Sequence, residues 1–462
     1  MVVVAGKEKS FKIVAMIKNR DELATTELRR QALDIIEAGI ERVLPENIMK
    51  SALSYDPAGK SLKVNNAAYQ VADGRIFVIG GGKASGLMAE ALEETLGANN
   101  ILAGIVNCKG GTYRTKRIKL IKAGHPIPDK RGLNGVRQML DLKDKHSIID
   151  KDLVICLVSG GGSALMPCPT SNISLEDNQK TTQLLLNCGA EIHEINAVRK
   201  HLSGIKGGLL GEFYSPTNVV SLIISDVIGD DLDTIASGPT YPDSSTFKDA
   251  YDVLEKYGLT ATVPKSVLSY LKMGCRGEVL ETPKKLTNCH NHIIGNNRLA
   301  LEAMANQAEE LGLKPLIVTT EQKGDTAEAA YLRAGEILEG KYQGYNAILI
   351  GGETTPKLPD NAGRGGRNQH YAAVSMLAMK SYPGYWLAAS IGTDGSDYLP
   401  NVAGAMVDNE TLLRATFRGI EVKEYIDRFD SNTLFKKIGG ALIITGDTGT
   451  NVSDVMLYLL GQ

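Results

Sequence analysis

Long apolar runs are missing from this sequence, and so is any imbalance of charge. No stretch is long enough to cross a bilayer. The patches near its start, Val2–Ala5 and Ile13–Ile17, are split by lysine and glutamate, unlike a secretory leader or a membrane span. Basic residues number 51 against 53 acidic, a net charge of −2. That balance leaves no electrostatic footprint for nucleic acid or a membrane surface. Cysteine is scarce: six residues, none in a C-x-x-C pair and several inside apolar runs such as Leu153–Val158. The expectation is a reduced, cytoplasmic protein. The seven histidines form no H-E-x-x-H, and Cys289, His290 and His292 are too short a group for a zinc site.

What is present is a full-sized globular chain. Its 462 residues exceed one ordinary core, and 43% hydrophobic residues suffice for two. Residues 22–44 place Leu28, Leu33, Ile36, Ile40 and Val43 at helical spacing. A pattern then recurs in which a β-branched run, a glycine-rich or acidic turn and a helix follow one another. Its strands include Arg75–Ile79, Leu153–Val158, Val219–Ile224, Ala347–Ile350, Trp386–Ile391 and Ala441–Ile444. This predicts α/β layers with largely parallel sheets, whose ligands bind beyond the carboxyl ends of the strands. The polar, glycine-broken stretch 273–290 sets the expected boundary, giving domains 1–285 and 286–462.

The turns carry the chemistry. Gly80-Gly81-Gly82-Lys83-Ala84-Ser85 ends a strand and opens a helix. A cation there opposes the helix dipole by roughly 0.3–1 kcal/mol unless an anion is present; the alternative is a structural turn with a solvated lysine. As a dinucleotide fingerprint it lacks the third glycine, and the next strand, Ile101–Val106, ends in Asn107 rather than an acid. Nor is it a Walker A loop, since Phe77 replaces the first glycine. Ser159-Gly160-Gly161-Gly162-Ser163 can bring amides and hydroxyls to an anion. Residues 192–208 collect His193, Arg199, Lys200, His201 and Lys206, suited to a carboxylate or, equally, to a charged helix face in water. Asp226 and Asp230 follow a strand, where they can hold Mg²⁺, take a proton or cap a helix. Arg364 and Arg367, in the turn Gly363–Gln369, again place cations at a helix start. Basic turns in both halves suggest a cleft between domains, lined by anion-binding groups.

The strings IGGGKAS (79–85), GHPIPD (124–129), LVSGGGSAL (157–165), EINAVRKHLSGIKGGLL (194–210) and IISDVIGDD with IASGPTYPDSSTF (223–247) resemble the N-terminal domain of glycerate 2-kinases. GGETT, GRGGRNQ, TDG and ITGDTGTNVSD resemble that family's MOFRL domain, and the likeness runs from about Gln31 to the C-terminus. Roughly the first 20 residues have no counterpart. The resemblance implies two α/β domains, the first Rossmann-like and the second MOFRL-type, with the active site in the cleft. It implies transfer from ATP to the 2-hydroxyl of D-glycerate with Mg²⁺ or another divalent cation. Small molecules are then the partners, and a homo-oligomer is compatible with the reading. Carried over by motif, Lys83 and Arg367 are the catalytic cations. The accompanying mechanism puts ATP on residues 159–163, metal on Asp226 or Asp230, and the substrate's carboxylate on Arg199, with Arg364 beside it. Two departures stand out: His370 follows Asn368-Gln369 where glutamate is usual, and Ser396–Asn401 replaces the usual continuation after Thr393-Asp394-Gly395. A hydroxypyruvate reductase using NADH or NADPH is the rival enzyme, and an anion sensor without turnover the rival class.

Overall fold

The computed structural model describes residues 16–71, 74–170 and 172–461; Val2–Ala5 and the start of Ile13–Ile17 lie outside them. A small antiparallel meander, β1 (Leu53–Asp56), β2 (Ser61–Val64) and β3 (Ala67–Gln70), precedes the first large sheet. That sheet holds β4 (Ile76–Gly82), β5 (Ile101–Cys108), β6 (Ile118–Lys122), β7 (Leu153–Ser159), β8 (Asn218–Ile224) and β9 (Cys289–Gly295). The order is β6-β5-β4-β7-β8-β9 and every pairing is parallel. All residues of β4 and β7 are buried, as central parallel strands with both faces covered require. The chain runs outward from β4 in one direction and from β7 in the other, so the switch point lies between them.

The second sheet comprises β10 (Pro315–Gln322), β11 (Ala347–Gly352), β12 (Trp386–Gly392), β13 (Gly404–Asp408), β14 (Leu442–Ile443) and β15 (Asp454–Leu460), in the order β10-β11-β15-β12-β13-β14. Here the expectation of largely parallel strands fails: only β10 and β11 run parallel. Loop 393–403 between β12 and β13 contains no crossover helix, which forces an antiparallel return. β15 inserts antiparallel between β11 and β12, so its first residue, Asp454, lies beside their last, Gly352 and Gly392.

Among the described residues the chain passes between the two sheets twice. Helix Glu27–Arg42, whose Thr26 caps the Arg29 amide, packs on helix Asn297–Glu310 of the second domain before any strand of the first has formed. Gly39 allows this approach, because a Cβ there would meet Met304 Cγ at 2.6 Å. Arg29, 1% exposed, anchors the helix by donating to Asp408 Oδ2 (2.5 Å), Thr411 Oγ1 (2.8 Å) and the Gly440 carbonyl (2.8 Å). The chain crosses at Val43–Leu44 and returns after β9, whose pairing with β8 extends the first sheet past residue 285. Helices Leu175–Asn187, Ile192–His201, Phe247–Lys256 and Lys265–Cys275 form a satellite with its own apolar core around Leu185, Val198, Phe247 and Leu271.

Removing one partner of a buried ion pair strands the other. Arg29→Ala should therefore destabilise the protein by about 3–5 kcal/mol in urea unfolding. A loss below ~1 kcal/mol, the scale of an exposed pair, would mean the pair does not anchor this helix.

Candidate active site

The carboxyl end of the first sheet faces the edge of the second where β11 and β12 end and β15 begins. From the first come Lys83 after β4, Ser159-Gly160 at the end of β7 and Asp226 after β8; from the second come Glu353, Asp394 and Asp454. The site therefore lies at the switch point of the parallel sheet, where strand ends diverge and leave a crevice.

Arg367 opens helix Arg367–Ala378 and grips Asp454 with two donors, Nε to Oδ2 at 2.5 Å and Nη2 to Oδ1 at 3.0 Å. Its Nη1 lies 2.9 Å from Glu353 Oε1. Asn368 Nδ2 also donates to Asp454 (3.0 Å). The helix start is already served by Asp397, which accepts the Asn368 and Gln369 amides at 2.9 Å each. A Cβ on Gly366 would lie 2.3 Å from Asp397 Cγ, which gives that glycine its reason. Carboxylates of the chain itself thus already stand at this basic turn. Arg364 stands apart: its amide donates to Asp430 Oδ1 (2.9 Å), and its exposed side chain has no ion pair among the described residues.

Lys83 reaches across the cleft, its Nζ 3.9 Å from Asp394 Oδ2. Burial pushes the Asp226 carboxyl above the ordinary range, with Lys83 opposing. Asp394 and Glu353 are raised for the same reason, opposed first by Lys83 and by Arg367 respectively. Four carboxylates (Asp226, Glu353, Asp394, Asp454) surround two cations, a surplus of negative charge in a partly buried cleft. Asp226 is wedged against the turn of β7, where a Cβ on Gly160 would sit 1.7 Å from its Oδ2. The second domain holds it too: Asn451 Nδ2 donates to Oδ2 (2.9 Å) and Ser453 Oγ to its carbonyl (2.7 Å). Asp230 accepts from Asn296 (2.6 Å) and lines, with Asp226, a cavity of about 90 Å³. Among the described residues no three metal-capable side chains are gathered into one cluster.

Of the turn 159–163, Ser159 is spent on structure. Its Oγ accepts the Ala84 amide (3.1 Å), while the Gly160 carbonyl accepts that of Lys83 (2.8 Å). Gly160 and Gly162 are buried; Gly161 and Ser163 line a chamber of about 670 Å³ together with Arg199 and Lys206. The basic run 192–208 thus divides. Lys200 is paired with Asp233 (2.5 Å) and Asp243 (3.0 Å), and His201 with Glu281 (2.7 Å), while Arg199 and Lys206 have no acidic partner among the described residues. A third, larger cavity, about 910 Å³, is lined by Lys18, Lys83, Lys109, His125, Asp394 and other residues. His125 borders both, its pKa lowered to about 4 by burial and then by Lys83 and Lys109.

Residues 31–272 match the model described as a domain of unknown function (DUF4147), and residues 346–454 match the MOFRL family. The glycerate 2-kinase of Pyrococcus horikoshii is 39% identical over 93% of this chain and 98% of its own length. The D-glycerate 2-kinase of Thermotoga maritima is 38% identical over 94% and 98%. The chain belongs to the glycerate 2-kinase family. The solved glycerate kinase of Thermotoga maritima superposes with a TM-score of 0.81 at 37% identity, covering 94% of this chain and 99% of that one. No helix among the described residues is long and apolar enough to cross a membrane.

His370, the departure from the family pattern, is buried and stacks on Phe429 at 4.4 Å. Neither ring nitrogen has a partner among the described residues, and burial lowers its pKa to about 4. A histidine depressed in the folded state stabilises fully above its unfolded value, near 6.5, and the contribution is lost as pH falls towards 4. Urea unfolding should show stability falling by about 1.4 kcal/mol per pH unit per such histidine in this window. His370→Gln should flatten the slope; an unchanged slope would show that the ring takes up its proton as readily in the fold as in the unfolded chain.

Proposed function

We propose that the chain is a D-glycerate 2-kinase, moving the γ-phosphoryl group of ATP to the 2-hydroxyl of D-glycerate. The supporting observation is a pair of cations, Lys83 from one domain and Arg367 from the other, set around shared carboxylates where the ends of both sheets meet. Phosphoryl transfer needs positioning and charge stabilisation more than a covalent nucleophile, and this site offers both.

In this reading the phosphate chain of ATP occupies the chamber of Gly161, Ser163 and Arg199, leading towards Lys83, whose stem lies against Gly161. The acceptor lies beyond Lys83 in the larger cavity beside Asp394. Lys18 and Lys109 there suit its carboxylate, whereas Arg364 does not line this cavity and takes no part in the reading. This moves Arg199 from acceptor to donor, because it shares one chamber with the turn. The hydroxyl oxygen forms the new O–P bond as the bond to the bridging β,γ-oxygen breaks. Its proton passes to Asp394, whose raised pKa improves it as a base. Lys83 and Arg367 stabilise charge on the transferring group. Asp226, with Asp230 in the same small cavity, suits Mg²⁺, which usually takes one or two carboxylates plus phosphate oxygens and water. The ion would neutralise phosphate charge and offset the surplus of carboxylates. The reductase reading is disfavoured by Asn107. It stands at the end of β5, where a ribose acid is needed, and is buried and committed to the Gly132 and Leu165 carbonyls (2.9 and 2.7 Å).

With D-glycerate, ATP and MgCl₂, ³¹P NMR should show 2-phosphoglycerate. Lys83→Ala should lower kcat at least ~100-fold, the scale for losing one charge-stabilising donor. Arg367→Lys, which keeps a cation beside Asp454, should lose geometry and kcat but not the fold. Appearance of 3-phosphoglycerate, or near-wild-type turnover in Lys83→Ala, would refute this reading.

A further inference from the structure

Arg199 and Lys206 line one chamber, and neither has a counter-ion among the described residues. Arg199 projects from helix Ile192–His201 and makes no hydrogen bond or ion pair among the described residues. Lys206 is 6% exposed, and its Nζ donates to two main-chain carbonyls, Ser163 (3.0 Å) and Met166 (3.1 Å). Two neutral acceptors saturate the donors of an uncharged amine. A protonated one has a third N–H, and the chamber is the open side available to it. A hydroxyl chain ends at the same wall, from Asn196 Oδ1 through Ser237 Oγ (3.0 Å) to Ser163 Oγ (2.8 Å). Its far end holds a buried donor, Asn196 Nδ2, with no partner among the described residues. Two neighbouring cations withdrawn from water without a carboxylate are unfavourable until an anion arrives.

Charge and lining indicate which anion. A monocarboxylate would leave one of the two cations uncompensated, whereas the phosphates of a nucleotide neutralise both. Ile127, Pro128 and Leu186, beside the Gln179 and Gln183 amides, offer an apolar and hydrogen-bonding wall of the kind a base needs. We propose that Arg199 and Lys206 clasp the phosphate chain of a nucleoside di- or triphosphate, and that Lys206 takes up a proton as the nucleotide binds. This rests on the kinase reading and adds to it a proton-linked nucleotide site.

The groups facing Lys206 set the direction of the linkage. Burial, then Arg199, lowers its pKa to about 7. The Cys168 thiol is itself pushed up by burial and carries no charge near neutrality. His125 is neutral above pH 4, and the exposed Lys180 and Glu176 at the mouth carry opposite charges. In the free protein Lys206 therefore loses its charge as pH rises through about 7, while bound phosphate restores it. Affinity should fall with pH, by about tenfold per unit above 7.

The test is titration calorimetry of the full chain with ADP at pH 8, in buffers of different ionisation enthalpy. ADP is fully ionised there. The wild type should take up close to one proton per ADP. Lys206→Arg, which keeps the cation but cannot titrate, should bind ADP without uptake and with pH-independent affinity. Arg199→Met, whose side chain makes no internal bond, should weaken ADP at least tenfold while leaving the melting temperature of the free protein unchanged. Equal proton uptake in wild type and Lys206→Arg would overturn the linkage. Weakened D-glycerate binding with ADP unaffected in Arg199→Met would overturn the nucleotide assignment in favour of the acceptor's carboxylate. Because these readouts are binding equilibria, they are independent of whether wild-type protein makes 2-phosphoglycerate, which tests the kinase reading separately.

Discussion

The charge of Lys83 is shared between carboxylates of two domains, Asp226 of the first and Asp394 of the second, and much of the architecture serves to keep it there. The parallel sheet delivers Lys83 and Asp226 from β4 and β8, on either side of β7. The second sheet delivers Asp394 and Asp454 from adjacent strands only because β15 runs opposite to its neighbours. Burial disfavours the charged form of such a group of acids, as the raised values of Asp226, Glu353 and Asp394 indicate. The two cations limit that tendency without abolishing it. An incompletely compensated site favours cationic company for any phosphate that enters, which is the electrostatic condition for transferring one.

Several elements were legible from the residues because they follow local rules. The strands Leu153–Val158 and Trp386–Ile391 and the helix within 22–44 are periodic or uniformly apolar, and the structure keeps them. Lys83 and Arg367 stood out because a cation at a helix start is locally unfavourable, and that anomaly does mark the cleft. What the anomaly did not show is that the chain brings its own carboxylates to Arg367: Asp397 at the helix start and Asp454 on the guanidinium. They come from more distant parts of the chain, and no local pattern announces which carboxylate folds back onto which helix.

The same limit explains the basic run 192–208. Lys200 and His201 are spent on acids more than thirty positions away, while Arg199 and Lys206 are left facing a chamber. Sequence shows five cationic or imidazole side chains within residues 192–208; only tertiary pairing sorts structural from available. Asp454 was hidden differently, as one acid opening an apolar strand after the turn 446–451. The direction of β15, which gives that acid its place, depends on pairing across the whole sheet. The antiparallel character of the second sheet was lost for the same reason, since strand runs carry no mark of orientation.

Two chain crossings, at Val43–Leu44 and at Asn296, join the domains, and loop 448–454 touches both: Thr450 donates to the Val43 carbonyl, and Asn297 to the carbonyls of Val452 and Asp454. Bodies tethered at two points have a natural hinge axis through the pair, so relative motion reduces largely to rotation about that line. Such a rotation would carry Asp394, Glu353 and Arg367 away from Lys83 as one rigid set rather than one by one. Opening and electrostatic disassembly then become a single event, and a ligand bridging both halves acts as the latch.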